Sequence, residues 1–387
     1  MKPNWPAKKL TDLCKLERGT EPGSDSYVKD LVGTIPFLRV GDLTGKVDAK
    51  RFVKKSNNNL QVVNKNETLI TFDGTPGIVV RGFSGAIASG IRVIRNLKPE
   101  INGDFLFYYL QTPVVQKTIQ AYSKGATIIH ASAAMPHIKI LLPPLKIQQK
   151  IVERLDAIKK AQELNDKQIA LADELFQSLL HRELDSRGKN WEVRALGDLF
   201  EITSSKRVFE SEWKKQGIPF YRAREIVSLV NNQALRAPIF ISEQMFREYS
   251  KKYGAPKEGD ILVTGVGTIG ISYLVKKNDK LYFKDGNIIW LKRTSKSNII
   301  SEFVEYFFQT PFFKRQINIM SAGATVLTYT IQNAKRTKIP LPPIKTQRKI
   351  VEKLSSVQEY KKKLVEQREK LKELFESVLH KSMAGKI

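Results

Sequence analysis

Arg39 in IPFLRVGDL and Arg222 in IPFYRAREI occupy matching places in two related stretches, with Asp42 opposite Glu225, and a Gly-Ala-Thr tripeptide at residues 125–127 returns at 323–325. Cations set among hydrogen-bonding side chains on loops are what a polyanion requires: some hold phosphates and others reach base edges in a groove. On this chemistry Arg39, Arg81, Arg92, Lys124, Thr127 and His130 are candidate DNA contacts in the first half of the chain. Arg222, Arg224, Lys284, Asn287, Thr325 and Tyr329 are their counterparts in the second half. For each residue alone a solvated surface position is the competing reading. Arg39 with Arg222, and the two tripeptides, gain support from recurring beside apolar framework residues.

Other chemistries find no residues to carry them. The Pro-Pro pairs lie in LPPL and LPPI, without the Asn or Asp of an adenine methyltransferase site, and neither a phosphate-binding G-x-x-x-x-G-K-[ST] loop nor a convincing nuclease carboxylate cluster is present. TGVGTIG fits G-x-G-x-x-G through Gly265, Gly267 and Gly270, yet β-forming residues follow where a helix should begin, and the counterpart FDGTPG lacks the first glycine. A turn between two strands is the better reading, with glycine still permitting close approach to a phosphate backbone. His181 and His380 end two related segments, where a helix C-terminus favours a partly positive ring, and His130 and His137 have no partner in the repeat. All four read as non-catalytic.

Charge points to the partner. Lys and Arg number 65 against 39 Asp and Glu, a formal net charge of +26. Such an excess repels itself in a compact chain and calls for a polyanion, nucleic acid first. A membrane surface is the alternative, but no basic amphipathic anchor appears, no apolar run is long enough to span a bilayer, and MKPNWPAKKL lacks the apolar stretch of a signal peptide. The single cysteine, Cys14, excludes an intrachain disulfide and a cysteine metal cluster. A cytoplasmic protein is expected.

The elements that must position the candidate residues come in two copies. NWPAKKLTDLC returns as NWEVRALGDLF, residues 70–80 match 262–272, and YYLQTPVVQKTIQAYSKGAT returns as YFFQTPFFKRQINIMSAGAT. Runs such as GIVVRGF, AIASGIRVI, DILVTGV and NIIWLKR read as short strands, and the two QTP segments as helices interrupted or kinked at Pro113 and Pro311. The fold class is α+β: two tandem globular domains at 1–142 and 185–341, each followed by a long helix, at 143–184 and 342–387.

Those helix segments match at 16 of 39 positions without a gap, 199 residues apart. A heptad runs through Ile151, Leu155, Ile158, Ile169, Phe176 and Leu179 in the first and through Ile350, Leu354, Val357, Leu364, Leu371 and Phe375 in the second. Both seams are polar in the middle. An antiparallel coiled coil with a pseudo-twofold axis is the expectation, with Gln162 near Arg368 and Ile169 near Lys361. Separate helices, each packed on its own globular half, are the alternative.

On these residues the chain resembles the specificity subunits of type I restriction-modification enzymes. The opening L-P-P-[LI]-x-x-Q-x-x-I-V-x-x-L, found twice, carries the resemblance, and the QTP helix and Gly-Ala-Thr segment upstream strengthen it. It implies that the globular units are target-recognition domains, each reading one half of a bipartite, asymmetric DNA sequence across a coiled-coil spacer. It further implies two modification subunits that carry S-adenosylmethionine and methylate adenine N6, and restriction subunits that use ATP and Mg. The chain itself is then non-catalytic and holds no cofactor. Leu164, Leu171, Leu175, Val365 and Leu374, apolar but off the seam, become candidate contacts for the modification subunits, with packing against the chain's own domains as the alternative. A stand-alone sequence-specific nucleic-acid-binding regulator, or the specificity module of another phage-defence methyltransferase, remains open.

Overall fold

A computed structural model describes residues 5–386 apart from 24–25, 29–31, 46–50, 58, 232, 295–297 and 321–326. Thr325 therefore lies outside the described residues. The chain packs into two compact units, one made of residues 1–167 with 365–387 and the other of residues 168–364. Both boundaries fall inside a long helix, so each unit holds one globular domain and a part of both helices.

In the first unit an antiparallel four-stranded sheet runs in the order Lys15–Arg18, Ile91–Arg95, Leu69–Thr71, Val79–Val80. A second sheet of five strands contains a parallel pair, Thr34–Leu38 with Gly85–Ile87. Ala7–Lys9 pairs with Lys139–Leu141 and so closes the start of the domain onto its end. The QTP segment is interrupted rather than bent: Gly103–Leu110 stops, and Pro113 opens Pro113–Ala121, where its missing N–H costs nothing.

The second unit repeats this plan. Phe200–Thr203, Ile288–Arg293, Ile261–Thr264 and Ser272–Leu274 form its four-stranded sheet, Ile218–Tyr221 runs parallel to Tyr282–Phe283, and Glu192–Ala195 pairs with Lys338–Leu341. Its QTP helices are Ser301–Phe308 and Pro311–Met320. One-residue precision comes from a threonine-closed turn. Thr71 accepts from the Ile78 N–H at 2.9 Å and donates to the Thr75 carbonyl, and Thr264 does the same with Ile271, at 3.0 Å, and Thr268. Thr71 thus corresponds to Thr264, one residue away from the register that the match of 70–80 with 262–272 implies. TGVGTIG is this turn between two strands, with Gly267 and Gly270 at φ of 71° and 76°.

The long helices span Leu145–Leu184 and Ile344–Met383. In the first unit the core gathers Ile151, Val152 and Leu155 of one with Leu379 and Met383 of the other, beneath Phe105 and Tyr109. The second unit gathers Phe176, Leu180 and Leu184 with Ile350 and Leu354, beneath Phe303 and Phe307. The helices run in opposite directions, because within the second unit Asp173 meets Lys361 while Glu183 meets Lys353. Both expectations therefore hold in part: the helices pack together and also complete the globular cores.

The register differs from an end-to-end match. In the first unit Gln162 donates to the Leu371 carbonyl at 3.2 Å, not to the Arg368 turn, and in the second Lys361 reaches Asp173 rather than the level of Ile169. The first turns are engaged elsewhere. Gln148 and Gln347, the glutamines of the L-P-P motif, are fully buried. Gln148 accepts from the Asn102 N–H at 2.8 Å and donates to the Pro143 and Glu100 carbonyls, and Gln347 accepts from the Ile300 N–H at 2.9 Å and donates to the Pro342 carbonyl. Each bolts a helix start to the loop before its own QTP pair. Among the seam residues Ile151, Leu155, Phe176, Ile350, Leu354 and Leu364 are buried, and Ile158, Ile169, Leu179, Val357, Leu371 and Phe375 half-buried.

Candidate nucleic-acid interface

In the first unit three loops meet. The Phe72 N–H donates to the Gly90 carbonyl and the Ala131 N–H to the Phe72 carbonyl, which brings Asp73–Gly74 into a ladder with Ile129–His130. A Cβ on Gly74 would lie 3.9 Å from the Val40 side chain, so the loop after Arg39 abuts the same turn. Arg39 is exposed, donates to the Tyr27 hydroxyl at 2.8 Å and lies over that ring. Residues 124–130 are exposed throughout, and Lys124 bridges to His130. Arg39, Lys124, Thr127 and His130 thus share one neighbourhood.

Arg81 and Arg92 do not present themselves in the same way. Arg81 is tied to Asp104, Thr68 and the Gly103 carbonyl and lies 4.6 Å from the centroid of Phe107, fastening the first QTP helix to the sheet. Arg92 is 4% exposed. Its strand is covered on both faces, so its guanidinium turns inward to the Ser89 and Ile91 carbonyls and the Ser132 hydroxyl. Burial works against its charge, and Asp73, 3.8 Å away, works for it. As a surface cation Arg92 is corrected by the structure, whereas Arg81 keeps 28% of its side chain exposed.

The second unit brings equivalent loops together. Gly265 accepts from the Tyr329 N–H and donates to the Asn287 carbonyl, and the Lys284 N–H donates to the Tyr221 carbonyl next to Arg222. Arg222 grips Glu225 with two nitrogens, at 3.0 and 2.7 Å, and Arg224 donates to the same carboxylate while staying exposed. Burial pushes the Glu225 carboxyl up, but these guanidiniums hold it below the usual carboxylate range. The same carboxylate accepts the Arg222 backbone N–H, as Asp42 accepts that of Arg39 at 2.8 Å, so the recurring Arg and acid form one capping device. Asn287 and Lys284 are half-buried. Tyr329 is a core residue instead: 2% exposed, hydroxyl 2.7 Å from that of Thr337, ring edge-on to Phe313.

Sequence reasoning missed Asp73, which holds His130, and Lys206 and Arg207, which are exposed on the segment wrapped around residues 283–288. Asp73 has no acidic counterpart in the repeat, so a search for recurrence passes over it. His137 stacks on Tyr122 at 4.3 Å, while His181 and His380 are exposed near helix ends. Among the described residues no group of three His, Cys, Asp or Glu is placed to hold a metal ion, and no helix is long and apolar enough to cross a membrane. Burial pushes the Cys14 thiol up to about 12. Leu164, Leu171, Leu175 and Leu374 are exposed and Val365 half-buried.

A basic chain with two copies of one domain, each carrying polar and cationic side chains at its loop tips, belongs to the DNA-binding proteins in its general character. The sequence profile of the type I restriction modification DNA specificity domain matches residues 2–172 and again 188–373, and the chain belongs to that family. It is 26% identical to the type I restriction enzyme MjaVIII specificity subunit of Methanocaldococcus jannaschii, over 99% of this chain and 93% of that one. A putative type I restriction enzyme specificity subunit of Haemophilus influenzae is 28% identical over 66% of this chain, and the match spans 64% of that relative, just under two thirds of its length. The fold is similar to that of a chain solved in a study of complex assembly in the type I system, with a TM-score of 0.65, 16% identity and coverage of 100% and 99%. It is also similar to the S subunit from M. genitalium, with a TM-score of 0.57, 16% identity and coverage of 98% and 96%.

Proposed function

We propose that this chain is a non-catalytic specificity subunit that reads a bipartite, asymmetric double-stranded DNA sequence, one half-site per globular domain. The observation that carries the reading is one framework built twice with different loop tips. Two modification subunits dock on it, supply S-adenosylmethionine and methylate adenine N6 within the target. Restriction subunits add ATP- and Mg-dependent work. The long helices act as a coiled-coil spacer, and the exposed Leu164, Leu171, Leu175 and Leu374, with Val365, lie where a modification subunit could cover them. Arg39, Arg81, Lys124, Thr127 and His130 in one domain, and Arg222, Arg224, Lys284 and Asn287 in the other, are the proposed DNA contacts, with Thr325 retained from the sequence. Cytoplasmic location follows from the substrate.

The test is co-expression with the modification subunit encoded beside it and mapping of methylated adenines across the host genome. One two-part motif with a fixed unread gap is the expected result. A stable complex that adds no methylation counts against the reading and favours a stand-alone DNA-binding protein. Removing one heptad from both helices should shorten the unread gap, and an unchanged gap would sink the spacer role.

A further inference from the structure

The first domain contains a polar chain of three side chains, and the second domain replaces the two inner ones with apolar residues. Arg92, with 5% of its side chain exposed, lies 3.8 Å from one oxygen of Asp73, and the other Asp73 oxygen is 2.9 Å from Nδ1 of His130. Asp73 is 13% exposed and His130 64%, so the chain leads from the interior to the surface. The ladders and the threonine-closed turns match these positions to Ile289, Val266 and Thr328 in the second unit. A buried guanidinium is costly. The framework folds without one, so Arg92 and Asp73 serve something particular to the first domain.

What they serve is the presentation of His130. A carboxylate can only accept, so Asp73 requires Nδ1 to carry a proton and fixes one tautomer. Nε2 is then the ring nitrogen left for a ligand, and in the neutral ring it is an acceptor. The neighbours favour a base edge over a phosphate. Ile128 and Ile129 are 56% and 39% exposed on the same exposed segment, and aliphatic groups match thymine methyls while offering nothing to phosphate. Leu327, the counterpart of Ile129, is 44% exposed in the second unit, so this apolar tip recurs while the histidine does not.

We infer that His130 is a specificity-determining side chain of the first domain, held by Asp73 as a positioning residue, and that it accepts a hydrogen bond from an exocyclic amino group, adenine N6 or cytosine N4, in the major groove. The inference rests on the DNA-reading role proposed above. It predicts that His130→Ala and Asp73→Asn change selection at one or two adjacent base pairs of a single half-site and leave the other half intact.

The experiment is selection from a randomised duplex library by the complete complex with its modification subunits, as wild type, H130A and D73N. Discrimination at the affected position should fall by about 5- to 150-fold, the range for one base-specific contact. Nitrogen-15 spectra of the full chain should give His130 as a single Nδ1–H tautomer that becomes mixed in D73N, beside whatever stability the loss of the Asp73 charge next to Arg92 costs. A merely structural aspartate would shift unfolding without that spectral change, and this result overturns the inference. An unchanged wild-type motif in H130A overturns it too, as does equal weakening of both half-sites, the mark of a phosphate contact. A folded wild-type complex that selects no two-part motif instead removes the DNA-reading role itself, and the inference with it.

Discussion

The two domains differ least where their side chains are buried and most at their exposed tips. Gln148 and Gln347 bolt the helix starts in the same way, and Thr71 and Thr264 close the same turn. Around the Arg and acid pair, by contrast, the first domain has the short 3-10 turn Asp42–Thr44 and the second the helix Ala223–Val230. The second also inserts Glu243–Tyr253. Arg92, Asp73 and His130 give way to Ile289, Val266 and Thr328. A frame whose helix-start glutamines and turn threonines are matched tolerates exchange elsewhere, which suits the proposed reading of two different half-sites.

The largest expected effect tests the frame. Gln148→Leu leaves the Asn102 N–H and two carbonyls without their partner inside the protein, at about 1–3 kcal/mol for each group that water does not reach. A loss of about 3 kcal/mol is expected, with the same from Gln347→Leu, read by denaturant unfolding with hydrogen exchange assigning the loss to its own unit. A large cost in one domain and almost none in the other would break the claim that the frames are equivalent.

A smaller effect separates the domains. Glu305 stands where the first domain has Phe107, and burial pushes its carboxyl up to about 7, against the Leu274 N–H and despite Lys276. In the folded unit it keeps its proton where the unfolded chain, near the ordinary 4.5, has lost it. The folded state therefore binds more protons, and stability falls as pH rises from about 4.5 to 7, by up to about 3 kcal/mol, and is flat above. Glu305→Gln should remove that fall. Hydrogen exchange between pH 5 and 8 should place it in the second unit alone, and an equal fall in both units would assign it to some other group.

The repeat was legible in the sequence because its matching residues have matching buried duties: the L-P-P glutamine, the QTP break and the seam all persist where packing allows little else. Tip chemistry was legible only in part. Arg39 and Arg222 stood out through recurrence, although what recurs is their capping by an acid. Arg92 read as a surface cation because one sequence does not reveal that both faces of its strand are covered. Tyr329 read as a contact because it follows a recurring tripeptide, whereas the backbone bond to Gly265 sets it beside Phe313, in the core. Asp73 was invisible because its role depends on a ladder partner 57 residues away.

The smallest expected effect concerns the helices, which are the least alike where they are most polar. Asn165 is 2% exposed, and among the described residues neither its amide oxygen nor its nitrogen has a partner, while its repeat counterpart Leu364 is 4% exposed and apolar. A buried amide without partners lowers stability by about 1–3 kcal/mol, and a polar residue at a seam position is retained where it excludes other registers. Asn165→Leu should thus stabilise the chain by about 1–2 kcal/mol in denaturant unfolding while loosening helix register. Cysteines introduced at Asp173 and Lys361, which pair in the native register, report the second part: cross-linking should be clean in the parent and mixed with shifted pairs in the variant. A variant that gains stability and keeps one register would assign Asn165 no role in alignment, leaving the matched glutamines at the helix starts to set it alone.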